Sequence, residues 1–427
     1  MNEKLLKKVE GKELKLFVYA TIAVLFCAAF LLGTPREIFD GMMAIFFLRE
    51  PLMTDYFVLA GYGAAFFNAA LILVYVTFLV QKVNLPFTGM TMAVMFINVC
   101  YGFWGKNLIT MIPILLGSFL YSRLNRTLWN RSIYIGLFGV CLGPILTEMM
   151  YALPFSFPVK LILTILLGVL IGLILTPLSA HTASMHMGYN LFNVGFSAGI
   201  LAFVIVCVMR SFGMEPQGVL VWMEGVHPGI AAGAYAYFGL TFLYGLWLNG
   251  WNIKGFWKIT RHPGRAVTDF VLMDGPGATL MNMSAVGMLG ETYILLIGGD
   301  LSGPAQGAVL MAFGFAAFGA HLKNFTPVLC GVFLSTFFTQ YAADTPGIQV
   351  AALFAVGLSP IAGQFGPLAG IAAGMLHAAV VMCTSSLYGG LNLYNNGFAA
   401  GWVAIILIPL IESFMHQFKT RRKTKGK

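Results

Sequence analysis

Two asparagines separated by two residues, in apolar sequence bracketed by glycine, occur twice in this chain. Residues 188–199 read G-Y-N-L-F-N-V-G-F-S-A-G and residues 390–401 read G-L-N-L-Y-N-N-G-F-A-A-G, identical at eight of twelve positions. Asn190 and Asn193 in the first copy correspond to Asn392 and Asn395 in the second. Clustered glycine and asparagine interrupt a helix because both tolerate unwound backbone. Unwound backbone exposes N–H and C=O groups, and each asparagine adds two donors and an acceptor. That combination suits a small hydrogen-bonding solute. Just upstream, H-T-A-S-M-H (181–186) aligns with C-T-S-S-L-Y (383–388), so Thr182/Thr384 and Ser184/Ser386 recur while His181 and His186 do not. The competing use of such residues is to cross-link packed helices. For Asn193 and Asn395 the two uses weigh equally; for Asn190 and Asn392 solute binding is the stronger expectation.

A second recurrent motif, G-x-G-A-x-x-x-N, spans 61–68 and 275–282 and ends in Asn68 and Asn282. Its glycines permit a tight entry into a short helix, whose N-terminus offers a positive dipole end to a solute. Asp55 and Asp269, each after a threonine, read as helix N-caps. Of the few charges in or near apolar segments, Glu148 has a polar counterpart at its repeat position, Gln364. Lys106 and Lys323, with Asn107/His321 and Thr110/Asn324, form another polar patch, equally readable as an anion site or an interfacial loop. No Walker motif, H-E-x-x-H or G-x-S-x-G is present, so ATP-driven pumping and familiar hydrolase chemistry lack support. His181 and His186 are spaced off the i, i+4 geometry of a helical zinc site. No catalytic residue, metal or cofactor is expected, and the chain is not expected to be an enzyme.

The elements that must carry these motifs are membrane helices. The 427 residues are 59% hydrophobic and 10% charged, with mean hydropathy +0.83. Soluble domains carry about 25% charged residues. Continuous apolar runs recur at the roughly 20-residue length a spanning helix needs, and they are uninterrupted rather than alternating, which favours helices over a barrel. The lysine-rich start followed by a long apolar run, with no A-x-A-like site, reads as a retained first span rather than a signal peptide. The six cysteines lie in apolar segments without close pairing and read as small buried hydrophobes.

The motif copies belong to a duplication of the whole chain. T-D-Y-F-V-L-A-G-Y-G-A-A-F-F-N (54–68) matches T-D-F-V-L-M-D-G-P-G-A-T-L-M-N (268–282) at an offset of 214 residues, and L-F-G-V-C-L-G-P-I (137–145) matches L-F-A-V-G-L-S-P-I (353–361). The glycine pairs Gly168/Gly172 and Gly370/Gly374, like Gly195/Gly199 and Gly397/Gly401, read as close helix packing. Two halves follow, 1–213 and 214–427. Of 25 Lys and Arg, five lie in 1–15, three in 122–131, four in 252–265 and six in 416–427, and the equivalents of these stretches in the other half hold no Lys or Arg except 38–51, where Arg49 stands beside Asp40 and Glu50. Positive charge marks cytoplasmic loops. The halves are therefore expected to sit in opposite orientations, with both termini cytoplasmic. Seven apolar segments per half, or five crossings with two re-entrant pieces, satisfy that count.

At these motifs the sequence resembles a known family. L-A-G-Y-G-A-A-F-F-N with an apolar span, and L-L-G-V-L-I-G-L-I-L-T with M-G-Y-N-L-F-N-V-G-F-S-A-G-I-L-A, resemble the two signature regions of the urea transporters. This chain keeps Gly188-Tyr189-Asn190, extends the motif with Phe192 and Asn193, and has Leu391 in place of the tyrosine in its second copy. As a whole the chain resembles an uncharacterised family of bacterial membrane proteins, a domain of unknown function. The urea-transporter resemblance implies two inverted halves around a pore with pore-facing half-helices, a trimer, and channel-like passage of urea without a coupling ion.

The expected fold is thus an all-α polytopic membrane protein of two inverted-topology repeats with re-entrant or broken helices, urea-transporter-like. The expected function is channel-like or facilitated passage of a small polar, uncharged, urea- or amide-like solute between the repeats. The expected location is the bacterial cytoplasmic membrane, with the lipid bilayer and the solute as partners, a homotrimer as assembly, and no nucleic acid. The alternative is an ion-coupled secondary transporter of a small organic anion or amine, using Glu148, Glu291 or the Lys106/Lys323 patch.

Overall fold

The chain is folded entirely around helices whose ends are tied to one another. A computed structural model describes residues 11–49, 53–216 and 218–425, with side chains to residue 415. The basic residues of 1–10 and 416–427, and Glu50, which entered the charge comparison, lie outside the residues described to side-chain level. No β-strand forms among the described residues, only the isolated bridges Thr54–Val221 and Asp55–Trp104.

Among the described residues, ten helices follow one another up to residue 211: α1 (Lys12–Leu32), α2 (Pro35–Phe47), α3 (Tyr56–Leu59), α4 (Gly61–Lys82), α5 (Gly89–Gly102), α6 (Leu108–Leu124), α7 (Ile133–Gly139), α8 (Gly143–Ala152), α9 (Phe157–Met185) and α10 (Asn193–Ser211). Ten more follow in corresponding order: α11 (Pro228–Leu248), α12 (Lys254–Ile259), α13 (Phe270–Asp274), α14 (Pro276–Leu296), α15 (Gly303–Phe315), α16 (Leu322–Ser335), α17 (Pro346–Phe354), α18 (Ser359–Phe365), α19 (Pro367–Thr384) and α20 (Asn395–Lys425). Nine stretches among the described residues are long and apolar enough to cross a membrane, α7–α8 and α17–α18 each counting as one. The outward face of α9 exposes Leu161, Ile162, Leu166 and Leu170, a contiguous apolar surface that a water-soluble monomer rarely presents. The chain is a multi-pass membrane protein.

Local sequence explains the helix ends. Thr34 caps α2 in a capping box with Glu37, and Pro35 occupies the first turn, where its missing N–H costs nothing. The matched L-F-x-V-x-L-x-P-I strings become interrupted spans: 3-10 turns at Val140–Leu142 and Ala355–Leu358 separate α7 from α8 and α17 from α18. Proline follows each break at the N-terminus of the next helix. The small-residue pairs act where expected. A Cβ on Gly172 would lie 2.0 Å from the Ile114 carbonyl, and one on Gly374 would lie 2.0 Å from the Val328 carbonyl, so α9 and α19 press directly on the backbones of α6 and α16.

Equivalent helices also meet each other. α5 and α15 run antiparallel: Gly89 at the start of α5 lies against Ala317 beyond the end of α15, and Gly303 at the start of α15 lies against Phe103 beyond the end of α5. Their middles join through Phe96 and Phe313, with ring centroids 4.8 Å apart. Asp55 and Asp269 are the expected N-caps, accepting from Phe57 N at 2.8 Å and Leu272 N at 3.2 Å. Each also reaches a helix of the other half. Asp55 accepts from Gly303 N at 3.1 Å and Met223 N at 3.0 Å, while Asp269 accepts from Gly89 N at 2.9 Å and Met90 N at 3.2 Å. One carboxylate therefore satisfies orphan N–H groups of two helix starts at once.

Removing either carboxylate leaves those N–H groups buried without an acceptor, which costs about 1–3 kcal/mol. Asp55→Ala and Asp269→Ala are each expected to lower the thermal unfolding midpoint of the detergent-solubilised protein. Equal midpoints for wild type and both variants would refute the clasp as a source of stability.

Candidate functional site

The first residues of each copy of the asparagine motif form the unwound links between α9 and α10 and between α19 and α20, and the second asparagine of each copy opens the helix that follows. In each, the first asparagine folds its own loop. Asn190 Oδ1 accepts from Phe192 N at 2.9 Å and Asn392 Oδ1 accepts from Tyr394 N at 3.0 Å, an Asx turn in both cases. The loops are then bound to the broken span of the opposite half. Leu191 N donates to the Gly357 carbonyl at 2.9 Å, and Leu393 N donates to the Cys141 carbonyl at 3.2 Å. These carbonyls are freed by the 3-10 turns, so the break in one half supplies the acceptor that the loop of the other half requires. Gly357 has to be glycine here, since a Cβ would lie 2.4 Å from the Phe192 ring.

The second asparagine is a latch. Asn193 Oδ1 accepts from Thr182 Oγ1 at 2.9 Å and pairs with His186 Nε2 at 2.9 Å, and its Nδ2 donates to the Ser179 carbonyl and hydroxyl at 2.9 Å. Asn395 repeats the pattern with Thr384 at 2.7 Å, with the Tyr388 hydroxyl, and with the Val381 carbonyl at 3.1 Å. Tyr388 thus does the work of His186 although their chemistry differs. At the crossing of α10 and α20, Gly195 and Gly397 meet backbone to backbone, a Cβ on either falling within about 3 Å of the other's Cα.

Beside each motif copy lies a cavity. Cavity A, about 500 Å³, is lined by Ser179, His186, Asn190, Asn193, Phe318 and Tyr394 among others. Cavity B, about 230 Å³, is lined by Val381, Asn392, Asn395, Asn396, Trp104 and Val350 among others. The linings correspond through the repeat, Ser179 to Val381, Asn190 to Asn392, Asn193 to Asn395 and Phe318 to Trp104. The cavities lie at opposite ends of the α5–α15 pair: Met90 at the start of α5 lines A and Trp104 just past its end lines B. α5 has 14 residues, which at 1.5 Å per residue is about 21 Å.

Between the cavities the interior is aromatic. Phe192 packs on Tyr394 at 5.0 Å, on Phe315 at 4.7 Å and on Phe354 at 6.0 Å. Tyr394 packs on Tyr101 at 6.1 Å, and Tyr101 on Trp104 at 5.6 Å. The rings therefore run from Tyr394 on the wall of A to Trp104 on the wall of B. These aromatics were not singled out in the sequence, where 37 phenylalanines give no contrast. Lys106, fully buried, sits at the edge of this cluster, its Nζ 5.3 Å from the Tyr101 ring centroid and 2.6 Å from Asn98 Oδ1.

Of the residues expected to bind solute, Asn190, Asn193, Asn392 and Asn395 line the two cavities. Thr182 and Thr384 are buried behind them and hold the second asparagine of each copy. Ser184 and Ser386 are exposed and donate to the carbonyls of His181 and Cys383. Asn68 and Asn282 line neither cavity. Each spends its amide on two carbonyls at the end of a neighbouring helix, Gly102 and Lys106 for Asn68, Ala316 and Ala320 for Asn282, at 2.7–2.9 Å. Glu148 also lines neither cavity: Arg49 grips it with two bonds of 2.7 Å, and Gln364 is exposed. The patch around Lys106 divides. Asn107 and His321 cap α6 and α16, Lys323 is exposed, and Lys106 is the member of the patch that reaches the aromatic cluster.

The sequence matches the family described as protein of unknown function (DUF1576) over residues 34–211 and 248–413, and the chain belongs to that family. The two matched stretches fall in separate halves of the repeat. No curated protein and no solved structure matches the chain.

If the second asparagine is a latch, its loss unties α9 from α10. Asn193→Leu is expected to lower the unfolding midpoint clearly, by a cost of about 1–3 kcal/mol for stranded partners. Ser184→Ala, whose hydroxyl is exposed, is expected to leave it within error. The reverse order in a thermal unfolding assay would remove the latch assignment.

Proposed function

We propose that this protein passes a small polar solute across a membrane, along a path that joins cavity A to cavity B through the aromatic cluster. The observation that carries this reading is the pair of repeat-related cavities. Each is lined by one copy of the asparagine motif, and they lie at opposite ends of one antiparallel helix pair. Sites of this kind, between repeats and beside interrupted helices, are common in membrane transport proteins. The apolar walls limit what passes to something small, and the asparagine amides offer it hydrogen bonds in place of water. The packed rings make this conformation a closed one, so opening requires Phe192 or Tyr394 to move.

The inverted arrangement of the halves belongs to the same proposal, as do a cytoplasmic position for both termini, a bacterial inner-membrane location and a trimeric assembly on the urea-transporter pattern. Support for the inversion comes from the antiparallel α5 and α15 and from the loop charges at 122–131 and 252–265. A urea- or amide-like solute fits the asparagines.

A second reading, coupling to an ion gradient, is favoured by one group. Glu291 is fully buried, accepts from the Gln306 amide at 3.0 and 3.2 Å, and has no cationic partner among the described residues. Glu148, held by Arg49, is the weaker candidate for that role.

Uptake into proteoliposomes of urea, small amides, amines and short organic acids separates these readings. Gradient-independent flux is expected, reduced at least about tenfold by Asn190→Ala with Asn392→Ala, if each amide supplies about one hydrogen bond. It is expected to rise in Phe192→Ala with Tyr394→Ala. Flux that needs a proton gradient and disappears in Glu291→Gln would establish coupling instead. Absence of flux for every solute would count against the path.

The orientation has its own test. In a cysteine-free background, Asn125→Cys and Thr339→Cys lie in equivalent loops, and a membrane-impermeant maleimide is expected to label them from opposite faces. Labelling from one face would overturn the inversion.

A further inference from the structure

Four buried polar residues crowd one end of the aromatic cluster, and their repeat equivalents are all apolar. Asn98, Tyr101, Trp104 and Lys106 correspond, at the offset of 214 residues, to Ala312, Phe315, Phe318 and Ala320. Facing them across the centre, Tyr394 corresponds to Phe192. The fold at these positions is thus built once with polar side chains and once without. Packing does not require the polar set, and burying it carries a cost unless something pairs with it.

The pairing within the protein is incomplete. Lys106 Nζ has three donor positions and donates to Asn98 Oδ1 at 2.6 Å, while Asn98 Nδ2 is spent on the carbonyls of Val94 and Leu137. No carboxylate pairs with Lys106 among the described residues. The hydroxyls of Tyr101 and Tyr394 are buried without a hydrogen-bond partner, and the indole N–H of Trp104 has only the Cys100 thiol beside it. Trp104 and Tyr394 line cavities B and A respectively. Donors prevail: the Lys106 amine, the Trp104 indole N–H and two unpartnered hydroxyls, bounded by aromatic faces.

We infer that the solute is a small organic anion with a single negative charge, a monocarboxylate, and that Lys106 with Tyr101, Trp104 and Tyr394 forms its central site. A carboxylate is acceptor-only and has four lone-pair positions, which matches a set dominated by donors. One buried cation calls for one negative charge. The rings of Phe192, Tyr101 and Tyr394 would cover the apolar part of the acid, which a purely inorganic anion lacks. This inference deepens the path reading and departs from the uncharged solute suggested by the asparagines alone.

The test uses the full-length protein purified in detergent, titrated with acetate, lactate and benzoate against acetamide, lactamide and benzamide, with the unfolding midpoint as readout. Carboxylates are expected to raise the midpoint in a concentration-dependent way and the matched amides to leave it unchanged. Lys106→Ala is expected to weaken the apparent carboxylate affinity at least about tenfold, the scale of one charge-assisted hydrogen bond. Tyr101→Phe and Trp104→Phe, which copy the residues of the other half, are expected to weaken it less. They retain a readout should the lysine variant fold poorly. Stabilisation by amides and acids alike, by neither, or equally in wild type and Lys106→Ala would each overturn the inference.

Flux in proteoliposomes distinguishes this failure from that of the path. Carboxylate binding without flux of any solute would remove the path and leave the anion site standing. Amide flux unaffected by Lys106→Ala, with no carboxylate binding, would leave the path and remove the site.

Discussion

The constraint on which this structure depends is that a bilayer interior offers no water to unpaired backbone. Interrupted helices at that depth are stable only if protein supplies the missing partners. Here the two halves supply them to each other. The carbonyls freed at the 3-10 turns, Cys141 and Gly357, accept from Leu393 and Leu191 in the unwound loop of the opposite half. Asp55 and Asp269 do the same for helix starts, each reaching across to the N-terminus of α15 or α5. The breaks in one half are therefore satisfied by the loops of the other.

This exchange places polar backbone and cavities together. The loops that cross between halves carry Asn190 and Asn392, whose side chains first shape the loop and then line a cavity. Asn193 and Asn395 hold the same loops to the helices before them. Structural and candidate binding roles thus fall to neighbouring residues of one motif. Both asparagines of each copy line a cavity; the first also shapes its loop, and the second also latches that loop to the preceding helix.

Near-symmetry then makes departures informative. Where equivalents are alike, as with Asn68 and Asn282, each donating to two carbonyls, the residue meets a need common to both halves. Where they differ, as with Lys106 against Ala320 or Glu291 against Thr77, the fold does not account for the choice. Several of the buried polar residues unique to one half, Lys106 among them, belong to the proposed anion site.

The sequence by itself determined the helical membrane class, the duplication, the capping aspartates and the glycines at which helices touch. These follow from local rules: apolar length, repeat offset, N-cap chemistry and the absence of a Cβ. It also identified the asparagine motif. Tertiary structure alone decided which polar residues share a cavity. Glu148 and Gln364 align as a pair, yet one is gripped by Arg49 and the other is exposed. Lys106 and Lys323 are matched in type, yet only Lys106 enters the centre, because Lys323 stands three residues further along the repeat, at the position of Ile109 in the first turn of a helix rather than in the interior loop. The aromatic cluster joins residues from 101 to 394, and neighbourhood across such distances is fixed by packing, which no local pattern of residues encodes.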